Sequence, residues 1–173
     1  MGYGIVLVMK KSFEDSESFE GRVAYAKQFE KLTDDFVNEP YGTQYFEDFD
    51  EKYNEVCIRD DGSYNIRFFP NLIRVWTPLS WSVFFDWDDQ PGSQRKEFQK
   101  FIDRIQPEEC WVGTDYATDQ VCDIEAGLEK WLESVIERCG SIDEFDFEKL
   151  REDKEKKIWP KDLYLVKDNK LYK

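Results

Sequence analysis

Histidine is absent from this 173-residue chain. Its absence removes the side chain that most often serves as a general base, a metal ligand or a pH switch. The sequence also lacks a glycine-rich loop between a strand and a helix, the usual cradle for a phosphate group. Without these features, we expect a protein that is not an enzyme and carries no cofactor.

Paired cysteines are missing as well. The four cysteines, Cys57, Cys110, Cys122 and Cys139, are widely spaced and form no CxxC motif. With no histidine to complete a ligand set, this spacing is not typical of a structural zinc site. We therefore predict buried, reduced thiols, as in cytoplasmic proteins.

Long apolar runs are also missing. The longest, residues 5–9, has only the length of a strand, and no basic segment precedes it. The sequence therefore predicts neither a membrane span nor a signal peptide, and we expect a cytoplasmic protein. The length fits a single globular domain over residues 1–173.

Acidic and aromatic residues are abundant. The net charge is −14, and 17% of the residues are aromatic. Residues 12–61 carry 15 acids and 5 bases, whereas residues 149–173 carry 9 bases and 5 acids. A surface of this charge repels nucleic acid and anionic lipid, and it attracts a basic protein at an enhanced rate. We expect a basic protein partner, with no direct binding to nucleic acid or to a membrane.

The apolar periodicity predicts alternating groups of strands and helices. Strands are predicted at 3–9, 55–59, 64–69, 71–76, 79–87 and 110–114. Helices are predicted at 17–38, from Ser93 to Pro107 and at 121–139, followed by a short helix that begins with a capping box of Ser141 and Glu144. A hairpin at 163–172 is predicted to close the chain. Strand 3–9 is expected to be central, because it is apolar on both faces. The segment 79–87 has the strongest alternation, with five large apolar residues at every second position. This order indicates the α+β class, as a mostly antiparallel sheet of about five to seven strands packed with three to four helices.

Two segments mix aromatic rings with acids in a way that is typical of a binding surface. Rings supply area that becomes buried in a complex, while acids supply orientation and a fast on-rate. The predicted partner-binding residues are Tyr41, Tyr45, Phe46, Glu47, Asp48, Asp50, Glu51, Asp86, Asp88 and Asp89.

Two other functions remain open from the sequence. The first is a metal-dependent hydrolase that uses the carboxylates of residues 86–89. If Asp86 is position 1 of a calcium loop, Asp88 and Glu97 fall on ligand positions, but Pro91 replaces the glycine that the turn needs. The second is a phage or mobile-element protein that counters a DNA-binding defence enzyme by mimicking DNA.

In size, acidity and aromatic content the chain resembles the immunity proteins of bacterial toxin systems. The resemblance implies an inhibitor that binds a basic toxin, such as a nuclease, and blocks its cleft. It is a resemblance of composition, so it assigns a role to no individual residue.

Overall fold

An eight-stranded sheet organises the protein in the computed structural model, which describes residues 4–37, 45–60, 64–118 and 124–172. The strands are β1 (Ile5–Lys10), β2 (Tyr45–Asp50), β3 (Glu55–Asp60), β4 (Asn65–Phe69), β5 (Leu72–Thr77), β6 (Glu109–Thr114), β7 (Asp143–Glu144) and β8 (Leu163–Leu165). Their order in the sheet is β2-β3-β4-β5-β1-β6-β8-β7. Every neighbouring pair is antiparallel except β7 and β8.

Strand β1 lies inside the sheet because its residues are apolar in both directions. It pairs with β5 on one side and β6 on the other, with Leu7 opposite both Val75 and Val112. Residues 5–9 are fully buried. Because side chains alternate along a strand, Leu7 enters one core and Val8 enters the other. The predicted central position of this strand is confirmed.

Helices cover the two faces of the sheet unequally. The helices of the described residues are α1 (Phe19–Val37), α2 (Trp81–Asp86), α3 (Gln94–Ile105), α4 (Leu128–Cys139) and α5 (Phe147–Glu155). Side chains of α1, α2, α3 and α5 belong to the core on one face. Helix α4 covers the other face, where Trp131 packs edge-on against Trp111 of β6 with ring centroids 5.7 Å apart. None of these helices combines the length and apolar character needed to cross a membrane.

The predicted α+β class and mostly antiparallel sheet are confirmed, although the eight strands slightly exceed the predicted number. Strands β3 and β4 form the predicted antiparallel pair. Helix α3 begins after Ser93, whose hydroxyl accepts a hydrogen bond from the amide of Lys96 at 3.2 Å. That contact is the N-cap that the sequence predicted.

The strand predicted at 79–87 is wrong, because its centre forms helix α2. The apolar residues there satisfy two periods at once. Trp81, Phe84 and Phe85 are spaced three and four apart, so a helix places all three in the core. A strand would have turned Phe84 away from Trp81 and Phe85. The helix leaves Trp87 exposed, whereas the predicted strand buried it.

Other boundaries also differ from the predictions. The helix predicted at 121–139 begins only at Leu128, and residues 121–123 lie outside the described part of the chain. The predicted capping box is wrong, because Glu144 lies in β7 and Asp146 caps α5 by accepting from the amide of Lys149. In the closing segment β8 forms as predicted, but residues 171–172 form no strand.

Candidate partner-binding surface

The predicted binding residues fall on two separate parts of the fold. Tyr41 lies outside the described residues. Tyr45 and Phe46 lie in β2, opposite Asp60 and Arg59 of β3. The acids of 47–51 follow along β2 and the turn after it. The acids of 86–89 lie between α2 and α3. Within the described chain, no hydrogen bond or ion pair joins the two acidic groups.

Strand β2 is at one end of the sheet, and its acids differ in their surroundings. Asp48 forms an ion pair of 3.2 Å with Arg59 on the neighbouring strand β3. Arg59 also contacts Glu55 at 3.4 Å, so one guanidinium is shared by two carboxylates. Glu47 is exposed and has no cationic partner among the described residues. Glu47 is therefore exposed without a counter-charge among the described residues, whereas the charge of Asp48 is partly compensated.

Asp50 has a structural role in the turn that follows β2. Its carboxylate accepts hydrogen bonds from the amides of Lys52, at 3.0 Å, and Tyr53, at 3.4 Å. These contacts cap a single 3₁₀ turn, Glu51–Tyr53, by satisfying amides that have no partner within the turn. The capped turn presents Tyr53 to solvent with 65% of its surface exposed.

A buried arginine holds this turn against α1. Arg22 donates hydrogen bonds to the carbonyl oxygens of Ser16, at 2.9 Å, and Glu17, at 3.0 Å. The same guanidinium donates to the side-chain oxygen of Asn54, the left-handed residue that ends the turn. Burial lowers the pKa of Arg22, although the nearby glutamates partly oppose this effect. Tyr53 is thus exposed on a turn that is fixed from both ends.

Glu51 completes the surface at this end of the sheet. Its carboxylate is exposed and has no ion pair among the described residues. Glu47, Glu51 and Tyr53, which we call the β2 edge surface, combine two acids without an ion pair among the described residues with one exposed ring. The Lys52 ammonium lies over this ring, 5.1 Å from its centroid. Phe49, between them in sequence, is half-buried against the core and is not part of this surface.

The second predicted group is mostly engaged in internal contacts. Asp86 forms an ion pair with Lys154 of α5. Asp88 binds Arg95 through both carboxylate oxygens, and both side chains are only 12% exposed. Asp89 is exposed and has no ion pair among the described residues. Of these three acids, only Asp89 is an uncompensated surface charge.

These ion pairs bear on the calcium-loop hypothesis. A divalent cation at Asp86 and Asp88 would have to displace Lys154 and Arg95, each of which already binds one of these carboxylates. Glu97, at the last loop position, contacts Lys100 at 3.1 Å. Within the part of the chain that the structure describes, no group of three acids or cysteines is arranged to hold a metal ion.

The described cysteines are poorly placed for nucleophilic chemistry. Cys57 and Cys110 are buried, and Cys139 is half-buried. Burial raises the pKa of Cys110 to about 12 and also raises the pKa of Cys57. Since the thiolate is the reactive form, both thiols are held in their unreactive state at neutral pH.

The predicted partner-binding residues leave out three aromatic residues that are exposed in the structure. Tyr53 is preceded by Asp50, and an aspartate three residues upstream is an N-cap signal that would have indicated a fixed turn. Trp87 was assigned to a buried strand face and is 61% exposed. Trp159 lies in a lysine-rich segment without apolar periodicity, and it is 87% exposed.

No protein-family model, no curated protein and no solved structure matches this chain.

Proposed function

We propose that this protein is an acidic inhibitor that binds a basic protein partner in the cytoplasm, in the manner of the immunity proteins of toxin systems. It acts by covering the partner's cleft and performs no chemistry of its own. The observation that carries the proposal is the β2 edge surface, where an exposed tyrosine follows two exposed acids that have no ion pair among the described residues. Tyrosine is a frequent anchor in interfaces, and unpaired acids favour a partner rich in lysine and arginine.

The fixed position of Tyr53 supports this role. A turn whose backbone is already held in place loses less conformational freedom on binding, so more of the contact energy appears as affinity. Asp50 caps the turn, and Arg22 ties its last residue to α1. An anchor residue on this turn is therefore preorganised for binding, which favours high affinity.

The overall charge supports the choice of partner. A net charge of −14 attracts a basic protein over distances beyond direct contact and raises the rate of encounter. This attraction is screened by salt, with a Debye length of about 8 Å at physiological ionic strength. Association should therefore slow as salt rises, while dissociation depends mainly on the residues in contact.

The test is a comparison of captured partners. Tagged wild-type protein, the triple variant Glu47→Gln/Glu51→Gln/Tyr53→Ala and a control variant Glu129→Gln/Glu133→Gln would each be incubated with lysate of the source cells. The control changes two exposed acids on α4, away from the β2 edge surface. We expect one basic protein to be retained by wild type and control, and retained much less by the triple variant.

The captured protein then decides the function. Stoichiometric loss of its activity on adding wild-type protein, with an association rate that falls as salt rises, is the expected result. Retention of that partner by the triple variant would place the contact elsewhere on the molecule. Capture of only acidic or neutral partners would contradict the electrostatic argument itself.

A further inference from the structure

We propose that the loop after α5 forms a second binding surface, which takes an acidic protein segment. This surface, called here the Trp159 surface, consists of Trp87, Lys156, Lys157, Ile158 and Trp159. Trp159 is 87% exposed, Ile158 52% and Trp87 61%. It carries a charge opposite to that of the β2 edge surface and goes beyond the inhibitor function proposed above.

The exposed residues lie on a loop that is anchored at both ends. At its start, the amide of Ile158 donates to the carbonyl of Asp153 at 2.8 Å, and the amide of Lys157 donates to the carbonyl of Lys154 at 2.9 Å. At its end, Lys161 forms an ion pair of 2.7 Å with Asp143. Trp159 is therefore exposed on a loop whose two ends are fixed by hydrogen bonds and an ion pair.

An ion pair connects this loop to Trp87. Lys154, in the last turns of α5, binds Asp86, the final residue of α2. Trp87 directly follows Asp86, and Ile158 follows Lys154 by four residues. The end of α2 therefore lies beside the last turns of α5, and the exposed residues Trp87 and Ile158 follow the two partners of this ion pair by one and four residues.

Other tryptophans show how unusual this exposure is. Trp81, Trp111 and Trp131 are all buried, and the Trp131 indole donates a hydrogen bond to the carbonyl of Ala117 at 2.9 Å. Large apolar side chains grouped on a surface mark interaction sites, and tryptophan is the residue most enriched among interface anchors. Trp159 has the exposure and fixed position of such an anchor.

Charge identifies the occupant. Residues 154–161 contain four lysines and one glutamate. Lys154 and Lys161 are neutralised by Asp86 and Asp143, whereas Lys156 and Lys157 have no ion pair among the described residues. Lys156 and Lys157 are both exposed, in the turn that directly follows α5. Lys157 precedes Trp159 by two residues, so a partner with carboxylates next to an apolar residue fits this surface best.

Two other occupants fit less well. A second copy of the chain would bring two molecules of −14 charge together, and a contact between unlike surfaces does not close into a symmetric dimer. An anionic membrane would be repelled by the same net charge, and two apolar side chains on one loop supply little insertion. An acidic protein segment avoids both difficulties.

Selection of peptides from a random display library tests the proposal. Wild-type protein should enrich peptides that contain several acids and at least one large apolar residue. Trp159→Ala should weaken binding of the best synthetic peptide about 30-fold, as expected for an anchor residue, and Lys156→Glu/Lys157→Glu should weaken it as well. Ile136→Ala, which removes an exposed apolar side chain from α4, should leave it unchanged. Circular dichroism and melting of each variant confirm that it is folded.

Several results would overturn the proposal. These are enrichment of basic or uncharged peptides, no enrichment at all, or acidic-peptide binding that Trp159→Ala leaves intact. Trp159-dependent binding to phosphatidylserine vesicles would assign the surface to a membrane, and Trp159-dependent self-association would assign it to a second copy. The variant Tyr53→Ala should still bind the acidic peptide, so failure of this proposal and failure of the proposed function can be told apart.

Discussion

Arg95 donates two hydrogen bonds to the carboxylate of Asp88, from Nε to Oδ1 at 2.9 Å and from Nη2 to Oδ2 at 2.5 Å. The guanidinium lies between two rings, 3.5 Å from the centroid of Phe147 and 4.0 Å from that of Tyr172. It thereby joins the loop after α2, helix α3, helix α5 and the end of the described chain. An acid that the sequence assigned to partner binding is part of the internal structure.

Replacing Asp88 by Asn should therefore destabilise the fold. The substitution leaves a largely buried guanidinium without its counter-charge, and we expect a loss of about 3 kcal/mol in the free energy of unfolding. Asp89→Asn, at an exposed neighbour, should change that free energy by no more than about 0.5 kcal/mol. Urea unfolding of the two variants measures the difference. Equal stabilities would mean that the Asp88–Arg95 contact contributes nothing to the fold.

The sequence was sufficient for elements whose residues obey a single period. Residues 5–9 are apolar throughout and could only be a buried strand, and α3 had both its apolar face and its Ser93 cap. The prediction for residues 79–87 was wrong because the sequence fits two periods. Trp81, Phe84 and Phe85 have helical spacing, while the apolar residues at every second position also fit a strand. The structure resolves the ambiguity through tertiary contacts, such as the 5.4 Å separation of the Phe85 and Phe147 rings, which no local pattern contains.

The candidate surface was predictable in composition and not in detail. The sequence showed that residues 47–51 are acidic, but it did not show that Arg59 compensates Asp48 or that Asp50 caps a turn. The contact between Asp48 and Arg59 depends on the strand register, because Asp48 lies opposite Cys57, while Arg59 lies opposite Phe46, two residues before Asp48. The cap that Asp50 provides depends on where the strand ends. Both facts require the folded chain.

The effects of two substitutions on stability should distinguish helix α2 from the strand that the sequence predicts for the same residues. Phe84 is fully buried among other rings, including those of Trp81 and Phe145, so Phe84→Ala should cost about 3–5 kcal/mol in unfolding free energy. Trp87→Ala should cost about 0.5 kcal/mol or less, because Trp87 is exposed. In a strand with Trp87 inward, Trp87→Ala would be strongly destabilising. Chemical denaturation of both variants distinguishes the two arrangements.

The cysteines should differ in reactivity. Since burial raises the pKa of Cys110 to about 12, almost none of it is thiolate at neutral pH, and Cys57 is shifted in the same direction. Brief treatment of native protein with iodoacetamide should modify half-buried Cys139 well before either of these. Peptide mapping by mass spectrometry gives the order, and labelling in urea provides the control in which all thiols react. Rapid native labelling of Cys110 would contradict its burial.

Glu108 should make stability depend on pH. The Ser12 hydroxyl, at 2.6 Å, lowers the pKa of this carboxyl, as do Lys10, at 3.2 Å, and the Ser12 amide. A pKa lower in the folded state than in the unfolded chain means that the ionised carboxylate stabilises the fold, and that this contribution is lost as pH falls through the acidic range. Glu108→Gln should therefore be less stable than wild type near neutral pH, and the two should converge on acidification. The control variant Glu109→Gln, at an exposed neighbour, should have the stability of wild type throughout. If Glu108→Gln remained less stable than wild type at low pH, lost packing rather than lost charge would be responsible.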